Sequence, residues 1–205
     1  MVSESLAAPY LPAGPLPSAD IVLYVDFDGV LQHQAVMWHR KRGIYMSPIE
    51  APGRLLFEWA HHLEAAISEF PAVSLVLSSS WCVKPGYGKA LRHLPEPLRS
   101  RFIGGTFHRR HHGADEWILQ SFRAAPRWKQ ILADVERRKP RVWLALDDDV
   151  ADWPDHLRAN LVACDGATGL SDPLVLADLK EKLAVTSIPG AARAVPSGLR
   201  EDDPK

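Results

Sequence analysis

The sequence predicts an α/β fold in which one parallel β-sheet is covered by helices on both faces. Three short apolar runs, IVLYV, AVSLVL and VWLAL, have the length and composition of buried strands. Segments with apolar residues at helical spacing lie between them, which is typical of a sheet built from strand–helix–strand units. With 205 residues, of which 46% are hydrophobic, the chain is long enough for one such domain and too short for two.

Composition excludes several classes of protein. The formal net charge is −1, so the chain as a whole has no strong attraction to nucleic acid or to a membrane surface. Cys82 and Cys164 are the only cysteines and lack a metal-ligand spacing, which argues against a disulfide scaffold or a zinc site. Residues 1–20 have neither the basic start nor the apolar core of a signal peptide. We therefore expect a cytoplasmic protein with no membrane contact.

The chain divides into an arm, one domain and a tail. Residues 1–19 are rich in proline and are predicted to be a disordered arm, and residues 186–205 are predicted to be a disordered tail. Residues 20–185 form the predicted domain. Within it, residues 32–53 show no strand or helix period and are predicted to form an irregular flap after the first strand.

The remaining elements follow in alternating order. Apolar residues recur at helical spacing in residues 54–70, which predicts an amphipathic helix closed by Pro71. RFIGGTF, residues 101–107, has strand character, and a second amphipathic helix begins at Pro126. After VWLAL come a short helix near residues 153–160, the strand-like LVAC and a final helix over residues 172–183.

Polar side chains follow three of the predicted strands. Asp26 and Asp28 come after the first strand, residues 78–80 are three serines after the second, and residues 147–149 are three aspartates after VWLAL. In an open parallel sheet, ligands bind beyond the carboxyl ends of the strands. Five carboxylates in one crevice repel one another unless they take up protons or share a cation. The pattern therefore predicts a site for Mg²⁺, which prefers oxygen ligands and is often completed by phosphate oxygens.

Each of these signals also has an ordinary structural explanation. An Asp-x-Asp pair is common in turns, serines often cap helices, and the aspartates of LDDD are compatible with a solvated helix start. What favours a functional site is that all three groups lie at strand ends. Lys129 adds to this pattern, because a lysine in the first turn of a helix opposes the helix dipole unless an anion lies nearby. An exposed surface lysine is the alternative.

These segments resemble the motifs of the haloacid-dehalogenase-like (HAD-like) hydrolase superfamily, in the same order. DFDGVL resembles the first motif, D-x-D-G-x-[TV], and LVLSSSW resembles the second, a serine or threonine after an apolar strand. The third motif is a lysine that opens a later helix, and the fourth is D-D-x-x-x-D. The residues that match these two are Lys129 and then Asp147, Asp148 and Asp152. The resemblance covers residues 21–183 and implies a three-layer Rossmann-like fold. SSSW and VWLALDDD are also similar to a group of small bacterial domains, some of them associated with RNA repair proteins.

The resemblance implies an aspartyl-phosphate mechanism. Asp26 would attack phosphorus, and Asp28 would protonate the leaving oxygen and later take a proton from water. The presence of Asp28 favours a phosphatase over a dehalogenase. Mg²⁺ would be held by Asp26, Asp28 through its backbone carbonyl, and Asp148 with help from Asp147.

Two further roles follow from the same resemblance. Ser79 would donate a hydrogen bond to a phosphoryl oxygen, although Ser78 is nearer the strand and stays open as the alternative. Lys129 would stabilise negative charge on the transferred group and on Asp26. Response-regulator receiver domains use similar residues, but their lysine comes last, whereas Lys129 precedes the second acidic cluster. A receiver domain is therefore not expected.

The substrate is less closely defined. Neither segment that follows the first two motifs looks like a large cap domain, so an open site is expected, suited to a macromolecular phosphate such as a nucleic-acid end. Ser79, Ser80, Arg40 and Arg42 are the candidate substrate-binding residues, and the HRRHH cluster at residues 108–112 is a second basic segment. A small phosphomonoester, transfer to an acceptor other than water, and a non-catalytic module that binds Mg²⁺ and phosphate are the alternatives. The sequence does not indicate an oligomeric state.

Overall fold

A computed structural model describes residues 19–107 and 116–188. Most of the predicted arm and tail, and the HRRHH cluster at residues 108–112, lie outside these ranges. None of the helices in the described ranges is long and apolar enough to cross a membrane.

Five parallel strands form the central sheet, in the spatial order β5-β4-β1-β6-β7. The first strand of the chain lies at the centre, and both of its neighbours come from later in the sequence. A separate two-stranded antiparallel sheet pairs β2 with β3. The strands are β1 Ile21–Val25, β2 Val36–His39, β3 Gly43–Met46, β4 Val73–Leu77, β5 Phe102–Gly105, β6 Val142–Asp147 and β7 Leu161–Ala163.

Helices follow the strands as the alternation predicted. The α-helices are α1 Ala60–Ser68, α2 Tyr87–Ala90, α3 Glu96–Arg99, α4 Glu116–Ala124, α5 Arg127–Arg138 and α6 Pro173–Thr186. Single turns of 3₁₀-helix span Ser80–Cys82, Leu91–His93 and Gly169–Ser171, and a longer one spans Asp155–Asn160.

The side chains of β1 alternate between two buried cores. Leu23 and Val25 belong to the core that α1 and α6 cover, whereas Val22 and Tyr24 belong to the core that α5 covers. A strand buried on both sides reads as a continuous apolar run, which explains IVLYV. The three-layer arrangement with helices on both faces is confirmed.

The segment predicted to be an irregular flap is a β-hairpin. Strands β2 and β3 pair over four residues, and Arg40 and Arg42 lie in the turn between them. Gly43 has a φ of 74°, a conformation that glycine adopts without strain. Because β2 is largely exposed and β3 only half-buried, neither strand shows the apolar alternation by which strands are recognised.

The first predicted helix is shorter than residues 54–70. Helix α1 begins at Ala60, because the chain before it is held in turns against the loop that follows β1. Phe57 has a φ of 57°, which is incompatible with a continuous helix. Its backbone N–H donates to the side chain of Gln32, and the N–H of Trp59 donates to the carbonyl of Leu31.

Candidate active site

The three polar groups predicted at strand ends meet at one edge of the sheet. Val25 pairs with Leu77 of β4 on one side and with Leu146 of β6 on the other. The residues that follow these three are Asp26, Ser78 and Asp147, which therefore stand level with one another. All three are almost completely buried.

Strand alternation directs these side chains to the same face of the sheet. Tyr24 lies in the core covered by α5, so Asp26, two residues later, faces the same side. Asp147 lies two residues beyond Ala145, which belongs to that core as well. Both carboxylates therefore face the start of α5, where Arg127 is the first helical residue.

Arg127 contacts both carboxylates. Its Nη2 donates to Oδ2 of Asp26 at 2.9 Å, and its Nε lies 3.3 Å from Oδ2 of Asp147. The second contact is an ion pair without a hydrogen bond, because neither atom has a hydrogen-bond partner in the part of the chain that the structure describes. Burial lowers the pKa of Arg127, but the charges of Asp26 and Asp147 outweigh it and raise that pKa above its ordinary value. Arg127 is therefore a permanent positive charge inside the acidic cluster.

Lys129 does not reach this cluster. It is exposed, and its ammonium lies 5.3 Å from the ring centre of Trp128. Residues two positions apart on an α-helix point about 200° apart, so Lys129 faces away when Arg127 faces the carboxylates. In the structure Arg127, rather than Lys129, contacts the carboxylates, and a catalytic role for Lys129 stays a prediction.

Three carboxylates are close enough together to hold one metal ion. One oxygen each from Asp26, Asp147 and Asp148 lies within 4.8 Å of the others. Burial, and then the charge of Asp26, raise the pKa of Asp147 well above its ordinary value and that of Asp148 to about 6. Oδ2 of Asp147 accepts no hydrogen bond from the described residues, and an all-oxygen donor set fits a hard divalent cation such as Mg²⁺.

Gly29 explains the glycine of DFDGVL. Its φ is 71°, and a Cβ at this position would overlap the carboxylate of Asp148. Only glycine allows Asp148 to approach the loop after β1 so closely. This position therefore determines where the third carboxylate of the cluster lies.

Asp28 is held apart from the three carboxylates. The indole Nε1 of Trp81 lies 3.0 Å from both oxygens of Asp28, and Nε2 of Gln32 donates to Oδ1 at 2.7 Å. Gln32 is itself held, because its Oε1 accepts from the backbone of Phe57. Burial, and then the charge of Asp26, raise the pKa of Asp28 to about 7. Asp28 is thus a positioned carboxyl that exchanges its proton near neutral pH.

The geometry separates the three serines. Ser78 is level with Asp26, and its buried Oγ has no hydrogen-bond partner among the described residues. Alternation directs Ser79 to the opposite side of the sheet, where its Oγ accepts from the backbone of Trp81 at 3.4 Å and caps a 3₁₀ turn. Ser80 is exposed. The arrangement therefore favours Ser78 over Ser79 as the residue that faces a ligand at Asp26.

The other predicted residues lie at the periphery. Arg40 and Arg42 are exposed in the hairpin turn, and the guanidinium of Arg42 lies 5.7 Å from the ring centre of Tyr45. Asp152, matched to the fourth motif, is exposed and not part of the carboxylate cluster. A substrate-binding role for the two arginines stays a prediction.

Comparison with known proteins gives one family match. A family model described as "HAD domain in Swiss Army Knife RNA repair proteins" matches residues 22–175. This range contains every residue of the site and all of the described strands except Ile21, the first residue of β1. No curated protein and no solved structure matches the chain.

Proposed function

The chain belongs to the family of HAD domains found in Swiss Army Knife RNA repair proteins, and on this basis we propose that it is a Mg²⁺-dependent phosphohydrolase with Asp26 as its nucleophile. The observation that carries the proposal is the arrangement around Asp26. Its carboxylate forms an ion pair with Arg127. Together with Asp147 and Asp148 it also forms a cluster whose oxygens are close enough to bind one metal ion. Asp28, two residues later, has a pKa of about 7.

In the first step, an oxygen of Asp26 attacks phosphorus and the bond from phosphorus to the ester oxygen breaks. The proton of Asp28 goes to the departing oxygen, so that an alcohol leaves and an aspartyl-phosphate remains. Arg127 keeps Asp26 oriented and stabilises charge on the transferred group. The hydroxyl of Ser78 is available as a hydrogen-bond donor to a phosphoryl oxygen.

In the second step, water attacks the phosphorus of the aspartyl-phosphate. Asp28, now a carboxylate, accepts a proton from this water, and the Asp26 carboxylate leaves as inorganic phosphate forms. Trp81 and Gln32 hold Asp28 in one place for both proton transfers. Mg²⁺ held by Asp26, Asp147 and Asp148 would neutralise negative charge where two anionic groups meet.

We propose a phosphorylated nucleic-acid end as the substrate. The family description refers to RNA repair, and ends that carry a phosphate are the form in which a phosphatase meets broken RNA. The segment that follows the first motif is too short for a large cap, since the hairpin β2–β3 has only four residues in each strand. Its turn carries the basic residues at positions 40–42, which suit a phosphate chain.

Phosphate release tests this proposal. The wild type, Asp26→Asn and, as a matched control, Asp152→Asn are compared with Mg²⁺ and with EDTA. The substrates are an aryl phosphate and oligonucleotides phosphorylated at the 3′ or the 5′ end. We expect the wild type and the control to release phosphate only when Mg²⁺ is present. Asp26→Asn should release none.

The alternatives give different results. A folded wild type that binds but releases nothing supports a non-catalytic module, and phosphate that appears on an added alcohol supports transfer. Turnover that survives in Asp26→Asn contradicts the proposal.

A further inference from the structure

A cavity of about 300 Å³ adjoins the acidic cluster and has a basic lining. Among the described residues that line it, Lys84, Arg123 and Arg127 carry positive charge, and Asp149 carries the one carboxylate. Arg127 belongs to both sites, since its guanidinium also contacts Asp26. The cavity has the volume of roughly ten water molecules at about 30 Å³ each, which is ample for a phosphate group.

A second cavity of about 320 Å³ adjoins the first. The two share Val83, Lys84 and Arg123, and the second is completed by Pro85 and Gly86. Lys84 and Arg123 therefore stand between the space beside Arg127 and the space further from Asp26. This arrangement suits a ligand that extends from the acidic cluster past both residues.

The two cations are available to bind an anion. Neither Lys84 nor Arg123 forms an ion pair with any carboxylate in residues 19–107 and 116–188. The ammonium of Lys84 instead lies 3.4 Å from the ring centre of Trp38, on the hairpin. An aromatic face attracts a cation without neutralising it, so this contact positions the charge and leaves it unpaired.

Trp38 favours a nucleotide chain over other phosphorylated chains. Its side chain is 54% exposed although Lys84 covers one side of the ring, so the other side is open to solvent. Exposed aromatic rings beside a basic groove are the usual platform on which single-stranded nucleic acids stack a base. A phosphopeptide would use the cations but has no general need of such a ring.

We propose that Lys84 and Arg123 bind the internucleotide phosphate next to the terminal phosphate that is cleaved, while a base stacks on Trp38. The inference rests on the proposed function and specifies its substrate as an oligonucleotide rather than a free nucleotide. Lys84 and Arg123 then favour the end of an oligonucleotide over a substrate with a single phosphate, because the latter has no second phosphate for them to bind.

The test compares two substrates in each variant. For Lys84→Ala and Arg123→Ala we expect the ratio of kcat/KM for a phosphorylated oligonucleotide to that for an aryl phosphate to fall about tenfold, which corresponds to about 1.4 kcal/mol lost with one charged contact. Trp38→Ala should lower the same ratio. Lys89→Ala, an exposed lysine outside both cavities, is the matched control and should preserve it.

The outcomes separate the two proposals. If the wild type hydrolyses the aryl phosphate and the ratio stays unchanged in all variants, the inference is wrong and the phosphatase stands. The inference is also wrong if the same variants lower kcat/KM for a phosphopeptide, relative to the aryl phosphate, by as much as they lower it for the oligonucleotide. If the wild type hydrolyses neither substrate, the inference is tested by the binding of a labelled, phosphorylated oligonucleotide. The magnitude of the slope of the log association constant against log salt concentration should fall by about one in Lys84→Ala. An unchanged slope contradicts the inference.

Discussion

The guanidinium of Arg127 lies 2.9 Å from the carboxylate of Asp26, and Lys129, on the same helix, is exposed. Removing Arg127 leaves two buried carboxylates without their cation. We expect Arg127→Ala to lower phosphatase kcat about 10²–10³-fold, the cost of losing one charge-stabilising donor. Lys129→Ala should have little effect, and Arg127→Lys should retain part of the activity. Steady-state kinetics on the folded variants measures these losses in kcat. A larger loss in Lys129→Ala than in Arg127→Ala would show that Lys129 has the role of the third-motif lysine.

Trp81 is predicted to act by positioning Asp28. Trp81→Phe keeps an aromatic ring against Phe27 and Phe57 but removes the N–H that lies 3.0 Å from both Asp28 oxygens. We expect kcat to fall about tenfold, because the carboxyl that transfers the proton loses a hydrogen bond that positions it. Trp143→Phe is the matched control, because Nε1 of this buried tryptophan has no hydrogen-bond partner in the described part of the chain. Equal losses in both variants would show that Trp81 has only a packing role.

The raised pKa of Asp28 predicts the pH dependence of the first step. Burial, and then the charge of Asp26, raise this pKa to about 7, so the carboxyl keeps its proton below that pH and loses it above. Only the protonated form can donate to the leaving oxygen, so the rate of phosphoenzyme formation should fall as the pH rises. A bound divalent cation shifts the midpoint downward but leaves the direction unchanged.

The same measurement on Trp81→Phe provides a control. The hydrogen bond from Trp81 lowers the pKa of Asp28, so its removal should move the descending limb to higher pH. Single-turnover rates on an alkyl phosphate, whose leaving group requires protonation, give both profiles. A wild-type rate that increases with pH would exclude Asp28 as the general acid.

A buried ion cluster beneath the sheet is predicted to determine stability. Asp134 is fully buried and accepts hydrogen bonds from Tyr24 at 3.0 Å, Arg137 at 2.7 Å and Arg138 at 2.5 Å. Asp134→Ala removes the buried carboxylate that these three side chains contact and should cost about 3–5 kcal/mol in the free energy of unfolding. Urea denaturation measures this. Asp155→Ala, at a fully exposed aspartate whose one ion pair among the described residues is with Arg158, should cause no measurable change, and a small effect at Asp134 would contradict the account.

Much of this architecture was predictable because it depends on local patterns. A strand buried on both sides must be apolar throughout, and a parallel sheet brings strand ends to one edge, so the sequence alone predicts that Asp26 and Asp147 lie together. The local sequence does not determine whether Arg127 or Lys129 contacts the carboxylates. Both lie in the first turn of α5, and only the packing of that helix determines which one faces the carboxylates.

The contacts of Asp28 were beyond prediction for a related reason. Trp81 is 53 positions away in the sequence, and nothing near it indicates that its indole N–H reaches Asp28. Choosing between Ser78 and Ser79 requires the side of the sheet on which each lies, which adjacent serines do not reveal. The hairpin was missed because its exposed strands carry no apolar alternation.

The most direct test of the central claim is to trap the phosphorylated form of Asp26. Asp28→Asn is mixed with an aryl phosphate, whose leaving group departs without protonation, whereas breakdown of the aspartyl-phosphate still requires the missing base. After acid quench, mass spectrometry of the peptides should find one phosphoryl group on Asp26, formed together with about one equivalent of phenolate. A phosphoryl group on another residue, or continued turnover with no phosphorylated peptide, would contradict the account.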